Sequence, residues 1–472
     1  MNFLKTISLA GTGLCMTACP GAQPTENQKP NIIFIIADDL GYGDLGCYGQ
    51  ELIKTPNIDK LASEGIRFTQ FYSGCTVCAP SRSSLVTGLH TGHTPVRGNK
   101  EYEPEGQHPL PKDTYTIGKM LQSAGYTTGC FGKWGLGYPG SEGAPEKQGF
   151  DTFFGYNCQR LAHNYYPYYL WHNTDTIWLK GNEGTQANDY SQDIIQKEAL
   201  KFINSNKEKP FFAFLTYVIP HAELINPEDS ITMMYRDQFP EKPYKGTDDG
   251  PNYRKGGYGS NPHPKADFAA MITRLDAYVG EIISELKKSG LDKNTLVMFT
   301  SDNGPHQEGG ADPHFFKSYG PLKGVKRDMY EGGIRVPFIA WLPEKIKSGV
   351  SDHVGAFWDI MPTFAALAGV EVAGETDGLS ILPVLFGKKG QKKHEYLYWE
   401  FHEQGGRIAV RKDNWKAIWF DVGKPDKTYV ELYDLSKDIH EDNNLALQYP
   451  DVVKELTEIK NSAHTPSEVW NF

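Results

Sequence analysis

The sequence has no excess of basic residues, no internal repeat and no apolar run long enough to span a bilayer. Lys and Arg number 48 against 58 Asp and Glu in 472 residues, which gives a formal net charge of −10. Because acids and bases are interspersed without a basic patch, the composition argues against nucleic acid as the main partner. A small anionic substrate is still allowed, since a local cluster of basic side chains can oppose the overall charge.

The apolar segment near the N-terminus is too short for a transmembrane helix. It follows Lys5 and reads ISLAGTGLCMTAC, which predicts a cleaved signal peptide over residues 1–18. The end of this segment, MTAC, resembles a bacterial lipobox, so we expect acylation of Cys19 and a Pro-rich tether over residues 19–30. The alternative is an ordinary cleaved signal. Both predict export, to the periplasm or the cell surface, and in the first case the lipid at Cys19 is the only membrane anchor.

Cysteine is scarce, with seven in the whole chain, and Cys15 and Cys19 belong to the signal segment. An odd number is left in the exported part, which suggests that one of them has a role other than pairing. If Cys78 has that role, the other four could form disulfides, and the sequence leaves this open. These four are Cys47, Cys75, Cys130 and Cys158.

Buried strands alternate with helices over most of the chain. The apolar runs NIIFIIA, PFFAFLT and NTLVMFT are typical of central strands, and an amphipathic pattern predicts a long helix over residues 266–290. The alternation predicts an α/β domain over residues 31–385, with a large mixed, mostly parallel sheet sandwiched by helices. Short β-type runs and a helical segment predict a small antiparallel sheet with a helix over residues 386–472. The irregular stretch 226–264 is expected to cover the site.

Polar side chains follow the ends of several predicted strands. Because ligands bind at the carboxyl ends of parallel strands, these residues are expected to share one site. Several are hard oxygen donors, which suit Ca²⁺ or Mg²⁺. The alternative is that the Asp and Asn residues cap helices or form turns. The residues are Asp38, Asp39, Lys133, His221, Asp302 and Asn303.

The stretch SGCTVCAPSRSSLVTG places Cys78 just before a short predicted helix. Pro80 suits the first helical position, so Cys78 is expected at the N-terminal mouth of the helix, where anions bind and Arg82 can reach. A thiolate would be activated there, yet no nearby His or Asn provides a cysteine-hydrolase triad. The residues alone leave two options, a thiol nucleophile or a modified residue.

The same stretch carries a family resemblance. CAPSRSSLVTG reads C-x-P-S-R-x-x-L-x-T-G and resembles the signature of the type I, formylglycine-dependent sulfatases of the alkaline phosphatase superfamily. The similarity extends through IIFIIADDLGYGDLGCYG, GYTTGCFGKWGLG, SDNGP and YEGGIRVPFIAWLP, in the order of the family. It implies an alkaline phosphatase-like fold and the hydrolysis of sulfuric esters. GKWGLG together with DNGPHQEGG resembles a subgroup acting on 4-O-sulfated galactose or N-acetylgalactosamine.

The resemblance also implies a cofactor set. A formylglycine-generating enzyme would convert Cys78 to formylglycine, whose hydrated aldehyde attacks sulfur and then releases sulfate. One calcium ion per chain would be held by Asp38, Asp39, Cys78, Asp302 and Asn303.

Four further residues match the family's catalytic positions. Arg82 corresponds to the arginine that holds the formylglycine hydroxyl, and Lys133 and Lys326 correspond to sulfate-binding lysines. His221 corresponds to a histidine near the leaving oxygen, a candidate general acid. The alternatives are that Lys133 is a surface cation and His221 a turn residue.

One position departs from the family pattern. Many relatives read GKWHLG, where the histidine hydrogen-bonds the formylglycine hydroxyl, whereas this chain has Gly135. His306 is a candidate substitute and equally a candidate substrate residue. His163 begins the aromatic segment HNYYPYYLWHN, for which sugar stacking and ordinary packing both stay open.

Three functions follow in order of preference. The first is an exported sulfatase acting on a glycan. The second is a phosphonate monoester or phosphodiester hydrolase of the same superfamily, which can share the C-x-P-S-R core. The third is a catalytically silent lipoprotein that binds sulfated glycan and keeps Cys78 unconverted.

Overall fold

The computed structural model describes residues 29–249 and 256–472. The predicted signal peptide and the predicted acylation site at Cys19 lie outside the described residues, as does the start of the tether. No helix among the described residues has both the length and the apolar character needed to cross a membrane.

Two separate sheets organise the described residues. The strands of the large sheet are β1 (Asn31–Ala37), β2 (Ile66–Tyr72), β3 (Thr127–Lys133), β4 (Thr152–Tyr156), β5 (Tyr169–His172), β6 (Asp175–Trp178), β7 (Phe211–Thr216), β8 (Thr295–Ser301), β9 (Arg335–Trp341), β10 (Gly349–Ser351) and β11 (Gly355–Ala356). Those of the small sheet are β12 (Leu397–Phe401), β13 (Arg407–Lys412), β14 (Trp415–Phe420) and β15 (Tyr429–Asp434).

The large sheet is mixed and mostly parallel, as predicted. Its order is β10-β2-β9-β8-β1-β7-β3-β4-β5-β6, and β11 also pairs with β2. The centre is parallel, with β1 between β7 and β8 and β3 between β7 and β4. β9 runs antiparallel to both β2 and β8, and β5 runs antiparallel to β4 and β6. The parallel strands therefore end at one edge of the sheet, where the predicted site residues follow.

Helices cover both faces of the large sheet. The helices are α1 (Pro56–Glu64), α2 (Cys78–Thr87), α3 (Ile117–Ser123), α4 (Ser191–Ser205), α5 (Ser230–Met233), α6 (Pro264–Ser289), α7 (Pro313–Phe316), α8 (Glu331–Ile334), α9 (Ile360–Ala368), α10 (Leu382–Leu385) and α11 (Pro450–Ser462). Alternate residues of β1 explain the two layers: Ile33 and Ile35 share a core with α1, α4 and α6, whereas Phe34 shares one with α2, α3 and α9.

The small antiparallel sheet and its helix form as predicted. The strands follow the order β12-β13-β14-β15, and α11 packs on one face through Leu456. The other face packs against the large sheet, where Trp399 contacts Tyr72 and Trp358. This packing holds the C-terminal sheet beside the edge of the large one.

The start of α2 differs from the prediction. The helix begins at Cys78, so Pro80 is its third residue and not its first. A helix tolerates Pro throughout its first turn, because the N–H groups there have no intrahelical acceptor to lose. The other open point concerns the cysteines: the five in the described residues are all free, so the structure contains no disulfide among them.

The predicted insertion 226–264 is mostly irregular in its described part. It contains the short helix α5 and an isolated bridge between Tyr244 and Asn261. Its end lies against the predicted site, since Tyr258 packs 4.9 Å from His163, centroid to centroid. Residues 250–255 lie outside the described part.

Candidate active site

Two neighbouring strands are each followed by a buried turn that carries acidic side chains. β1 is followed by Asp38 and Asp39, and β8 by Asp302 and Asn303, all four without solvent exposure. The backbone N–H of Asp39 donates to Oδ1 of Asp302 at 3.0 Å. Nδ2 of Asn303 donates to Oδ1 of Asp39 at 2.7 Å. These bonds hold the two turns in a fixed arrangement, with Asp39 at a φ of 65°.

The oxygens of these turns fit a hard cation. Oδ1 of Asn303 is buried and accepts no hydrogen bond from the described residues. Burial, followed by repulsion from Asp38, raises the pKa of Asp302 to about 7. A divalent cation would give the Asn303 oxygen a partner and relieve the repulsion between the carboxylates, and its ligands would be the oxygen donors that Ca²⁺ prefers. Ligand atoms of Asp38, Asp39, Cys78 and His221 lie within 4.8 Å of one another, and Asp302 and Asn303 join Asp39 through the hydrogen bonds above.

Three basic side chains surround the carboxylates. Nε and one terminal nitrogen of Arg82 donate to Oδ2 of Asp302 at 3.1 and 2.9 Å, and the other terminal nitrogen donates to the carbonyl of Lys133 at 2.6 Å. Nζ of Lys133 pairs with Oδ2 of Asp38, and Nζ of Lys326 donates to Oδ2 of Asp39 at 2.8 Å. All three cations are buried, so they are available only to a ligand that enters the site.

Cys78 lies at the centre of this arrangement. Its Sγ donates to Oδ1 of Asp38 at 3.3 Å, and the residue is 2% exposed. Burial and then the charges of Asp38 and Asp302 raise the pKa of the thiol well above its ordinary value. In these surroundings the thiol form of Cys78 is favoured over the thiolate, and both options that the residues left open, a thiol nucleophile and a modified residue, stay open.

His221 lies beside the acidic turns, with a ring nitrogen within 4.8 Å of ligand atoms of Asp38, Asp39 and Cys78. Its Nε2 lies 3.1 Å from Nζ of Lys326 and 3.3 Å from Oδ2 of Asp39, and its Nδ1 donates to the carbonyl of Ala222 at 2.5 Å. The bond to Ala222 fixes the ring and leaves Nε2 facing the site. Because the ring proton is on Nδ1, Nε2 accepts from Nζ of Lys326 in this state and can donate to a leaving group only after the ring takes up a second proton.

The two histidines predicted near the substrate flank His221 on either side. His163 stacks on it at 5.1 Å, with an angle of 8° between the rings, and its Nδ1 donates to the carbonyl of Gly256 at 2.7 Å. His306 stacks at 5.7 Å on the other side.

His306 itself is fully buried. Its Nε2 donates to the carbonyl of Pro220 at 2.9 Å, and its Nδ1 accepts from the N–H of Glu308 at 3.2 Å. Both ring nitrogens are engaged, so His306 supports His221 from behind. This placement does not supply the substrate contact that the sequence predicts, nor a substitute for a side chain at Gly135.

Sequence reasoning missed residues that hold the site together. Oγ of Ser81 donates to the carbonyl of Asp302 at 2.5 Å, and Oδ1 of Asn99 accepts from the N–H of Ala79 at 3.1 Å. Glu308 binds Arg327. Ser81 lies within the signature and could have been found there, but Asn99 and Glu308 belong to loops whose contacts no local pattern indicates. The aromatic segment after His163 is mainly packing, as Tyr165 and Tyr166 are buried.

A comparison with protein families identifies the relatives of this arrangement. The family model described as Sulfatase matches residues 30–370, well over half of the chain. The chain belongs to the sulfatase family. This sulfatase is accordingly a sulfuric ester hydrolase. A second model, described as N-sulphoglucosamine sulphohydrolase, C-terminal, matches residues 324–464, which include the small sheet and α11.

Individual relatives match this sulfatase along almost its whole length. Human arylsulfatase A is 32% identical over 490 residues, covering 92% of this chain and 87% of that protein. The N-acetylgalactosamine-6-O-sulfatase of Bacteroides thetaiotaomicron is 30% identical over 520 residues, covering 93% and 94%. The crystal structure of Ps i-CgsB in complex with k-i-k-neocarrahexaose gives a TM-score of 0.76 at 29% identity, covering 92% of this chain and 93% of that chain.

Proposed function

We propose that this sulfatase is exported and removes a sulfate ester from galactose or N-acetylgalactosamine in a glycan. Formylglycine at residue 78 and one calcium ion would be its cofactors. The observation that carries the proposal is the convergence of the predicted metal ligands and sulfate-binding cations on Cys78, which heads α2.

The charges of the site suit an anionic ester. The carboxylates are Asp38, Asp39 and Asp302, and the basic side chains are Arg82, Lys133 and Lys326. These groups balance one another, so a bound divalent cation makes the site positive overall. A sulfate ester carries a single negative charge and would be attracted to it. In a buried site such preorganised charges stabilise the charge that develops in the transition state.

The protein's own side chains divide the work of the reaction. A hydrated aldehyde at residue 78 would supply the oxygen nucleophile, and a cation held by the four oxygen-bearing residues would supply positive charge. Arg82, fixed by Asp302, orients the start of α2. Lys133 and Lys326 donate to sulfate oxygens once the substrate enters. Nε2 of His221 faces the site without a proton, because Nδ1 carries the ring proton, so it would first take up the proton that the attacking hydroxyl loses and then pass it to the leaving sugar oxygen.

The sugar and the position of its sulfate are proposed from two sources. The motifs of this chain resemble enzymes acting on O4 of galactose or N-acetylgalactosamine. The relative from Bacteroides thetaiotaomicron is an N-acetylgalactosamine-6-O-sulfatase, and the Ps i-CgsB structure holds a neocarrahexaose. We propose O4 as the site of hydrolysis, with O6 as the outcome that would replace it.

Maturation and location complete the proposal. Cys78 is 2% exposed at the first turn of a helix, so a formylglycine-generating enzyme would have to act before the chain folds. The lipobox at Cys19 would then anchor the exported enzyme to a membrane by lipid alone, with the Pro-rich tether as spacer. Labelling with radioactive palmitate, compared between wild type and Cys19→Ala, tests the anchor.

A substrate panel tests the activity. Enzyme produced together with a formylglycine-generating enzyme is assayed for sulfate release from galactose and N-acetylgalactosamine sulfated at O4 or at O6. An aryl sulfate and an aryl phosphate diester are measured beside them, and Cys78→Ala is the control. Release from an O4-sulfated sugar supports the proposal. Faster turnover of the phosphate diester than of every sulfate, or no turnover by fully converted enzyme, would overturn it.

A further inference from the structure

Two buried glutamine side chains near the site have amides without a partner. Gln107 is fully buried and Gln159 is 7% exposed. Nε2 of each is buried and donates to no acceptor among the described residues. Leaving a buried donor unpaired costs about 1–3 kcal/mol, so such a group points to a ligand that accepts its hydrogen bond.

The amide of Gln159 fills the space in front of Gly135. A Cβ built on Gly135 would lie 3.3 Å from Nε2 of Gln159 and 3.5 Å from its Cγ. The backbone of Gly135 has a φ of +76°, a conformation that L side chains rarely adopt. The amide of Gln159 therefore lies next to the position that a side chain of residue 135 would occupy.

The loop that carries Gln159 belongs to the active-site edge of the sheet. Tyr156, the last residue of β4, is paired with Lys133, the last residue of β3. The N–H of Gly135 donates to the carbonyl of Asn157 at 3.0 Å, which joins the two strand exits. Four residues after Gln159 the same loop reaches His163, which stacks on His221. Gln159 thus belongs to the segment that connects the end of β4, beside Lys133, to His163.

We propose that Nε2 of Gln159 donates a hydrogen bond to an oxygen of the sugar that bears the sulfate. Its backbone N–H donates to Oε1 of Gln107 at 3.4 Å, which makes Gln107 a positioning residue for the loop. The uncharged amide suits a hydroxyl or ring oxygen, whereas the sulfate itself faces the buried cations. This inference rests on the proposed function and assigns a specificity-determining residue to it.

The test compares two substrates in Gln159→Leu. This variant keeps the size of the side chain and removes its donors. We expect kcat/KM for the O4- or O6-sulfated N-acetylgalactosamine to fall about tenfold, as for the loss of one hydrogen bond. With 4-nitrophenyl sulfate, which has no sugar, we expect a change of less than about threefold. An equal loss on both substrates would overturn the inference, because Gln159 would then act on the sulfate or on the fold.

Gln148→Leu is the matched control. Gln148 is equally buried, but its Nε2 already donates to the carbonyl of Glu142 at 2.7 Å. Its loss should lower thermal stability without changing the ratio of the two kcat/KM values. A ratio that changes as much as in Gln159→Leu would contradict a specific role for Gln159.

Binding separates this inference from the proposed function. The unconverted thiol protein, expressed without a maturation enzyme, is titrated with the two sulfated sugars by calorimetry. If converted enzyme releases no sulfate from sugars, the proposed function fails, and weaker sugar binding in Gln159→Leu still supports the inference. Unchanged binding in Gln159→Leu overturns the inference alone. No binding of either sugar to wild type would overturn the inference, whereas the proposed function is judged by sulfate release from converted enzyme.

Discussion

Sγ of Cys78 lies 3.3 Å from Oδ1 of Asp38, while Oδ2 of the same carboxylate pairs with Lys133. One carboxylate therefore joins the first residue of α2, the end of β1 and the end of β3. A ligand at residue 78 meets the proposed metal site and the cation of Lys133 at once. The predictions below test the parts of this arrangement separately.

Removing the side-chain oxygen of Asn303 tests the metal site. Asn303→Leu removes Oδ1 and the donor to Asp39, so we expect the calcium content, measured by inductively coupled plasma mass spectrometry, to fall below half of one ion per chain. Sulfatase activity should fall with it. The control is Asn294→Leu. Asn294 directly precedes β8, and among the described residues its Nδ2 donates to the carbonyl of Lys29. Full calcium occupancy in Asn303→Leu would show that this oxygen is not a ligand.

Two substrates that differ in their leaving group test whether His221 acts as a general acid. A sugar alkoxide is a poor leaving group and needs a proton, whereas a nitrophenolate leaves without one. His221→Ala should lower kcat on the sulfated sugar by about 10²–10⁴-fold, the typical contribution of a general acid. On 4-nitrophenyl sulfate the loss should be far smaller. Equal losses on the two substrates would assign His221 to sulfate binding and not to proton transfer.

The sequence predicted the large sheet well because its central strands are continuous apolar runs. β1, β7 and β8 are buried on both faces, and runs of this length rich in Ile, Val and Phe are typical of central strands. Strand order was not predictable, because the insertion of β9 as an antiparallel partner of β2 and β8 depends on contacts between distant segments. The start of α2 was misplaced by two residues, since Pro80 is tolerated anywhere in a first turn.

The site was predictable where its residues follow strand ends or belong to the signature. Asp38, Asp302 and Arg82 were found in this way. Contacts made across loops were not predictable from the sequence: Asn99 supports the start of α2, and Gln159 occupies the space in front of Gly135. Burial also gave His306 a supporting position that its place beside SDNGP did not indicate.

Disrupting a buried ionic network tests how the two sheets are joined. Nζ of Lys416 lies 3.0 Å from Oε1 of Glu331 and 2.9 Å from Oε1 of Glu441, and all three residues are fully buried. Lys416→Met would leave the buried carboxylate of Glu441 without its cation, whereas Glu331 keeps Arg335 at 3.2 Å, so we expect the free energy of unfolding to fall by about 3–5 kcal/mol. Urea denaturation monitored by fluorescence measures the change.

The matched control for this network is Lys437→Met. Nζ of Lys437 lies 2.8 Å from Oδ2 of Asp434, but the lysine side chain is 79% exposed. Such a pair contributes less than about 1 kcal/mol. If both variants lose the same small amount, the buried network does not stabilise the junction.

The loss of stability at acidic pH tests the contribution of Glu400 to the free energy of unfolding. Burial alone would raise the pKa of Glu400. Hydrogen bonds from His402 and His464 and the charge of Arg97 outweigh this effect, so the pKa falls from 4.5 to about 2. A carboxylate whose pKa is lower in the folded state stabilises the fold above its unfolded pKa. This contribution is lost as the pH falls from about 4.5 to about 2, and it is at most on the order of 3 kcal/mol.

Glu400→Gln should therefore lower the free energy of unfolding at pH 6 and flatten its fall between pH 4.5 and pH 2, relative to wild type. Urea denaturation at a series of pH values gives both quantities. Glu468→Gln, a change at an exposed glutamate near the C-terminus, is the control. A slope in Glu400→Gln as steep as in wild type would exclude this carboxylate as the source.

The mass of residue 78 in active enzyme tests the central claim most directly. A tryptic digest releases the peptide that ends at Arg82 and contains Cys78, and tandem mass spectrometry measures it in enzyme whose sulfate release has been quantified. We predict a side chain about 18 Da lighter than cysteine at residue 78, in a fraction that rises in proportion to specific activity. Full activity in protein whose residue 78 is entirely an unmodified thiol would contradict the account.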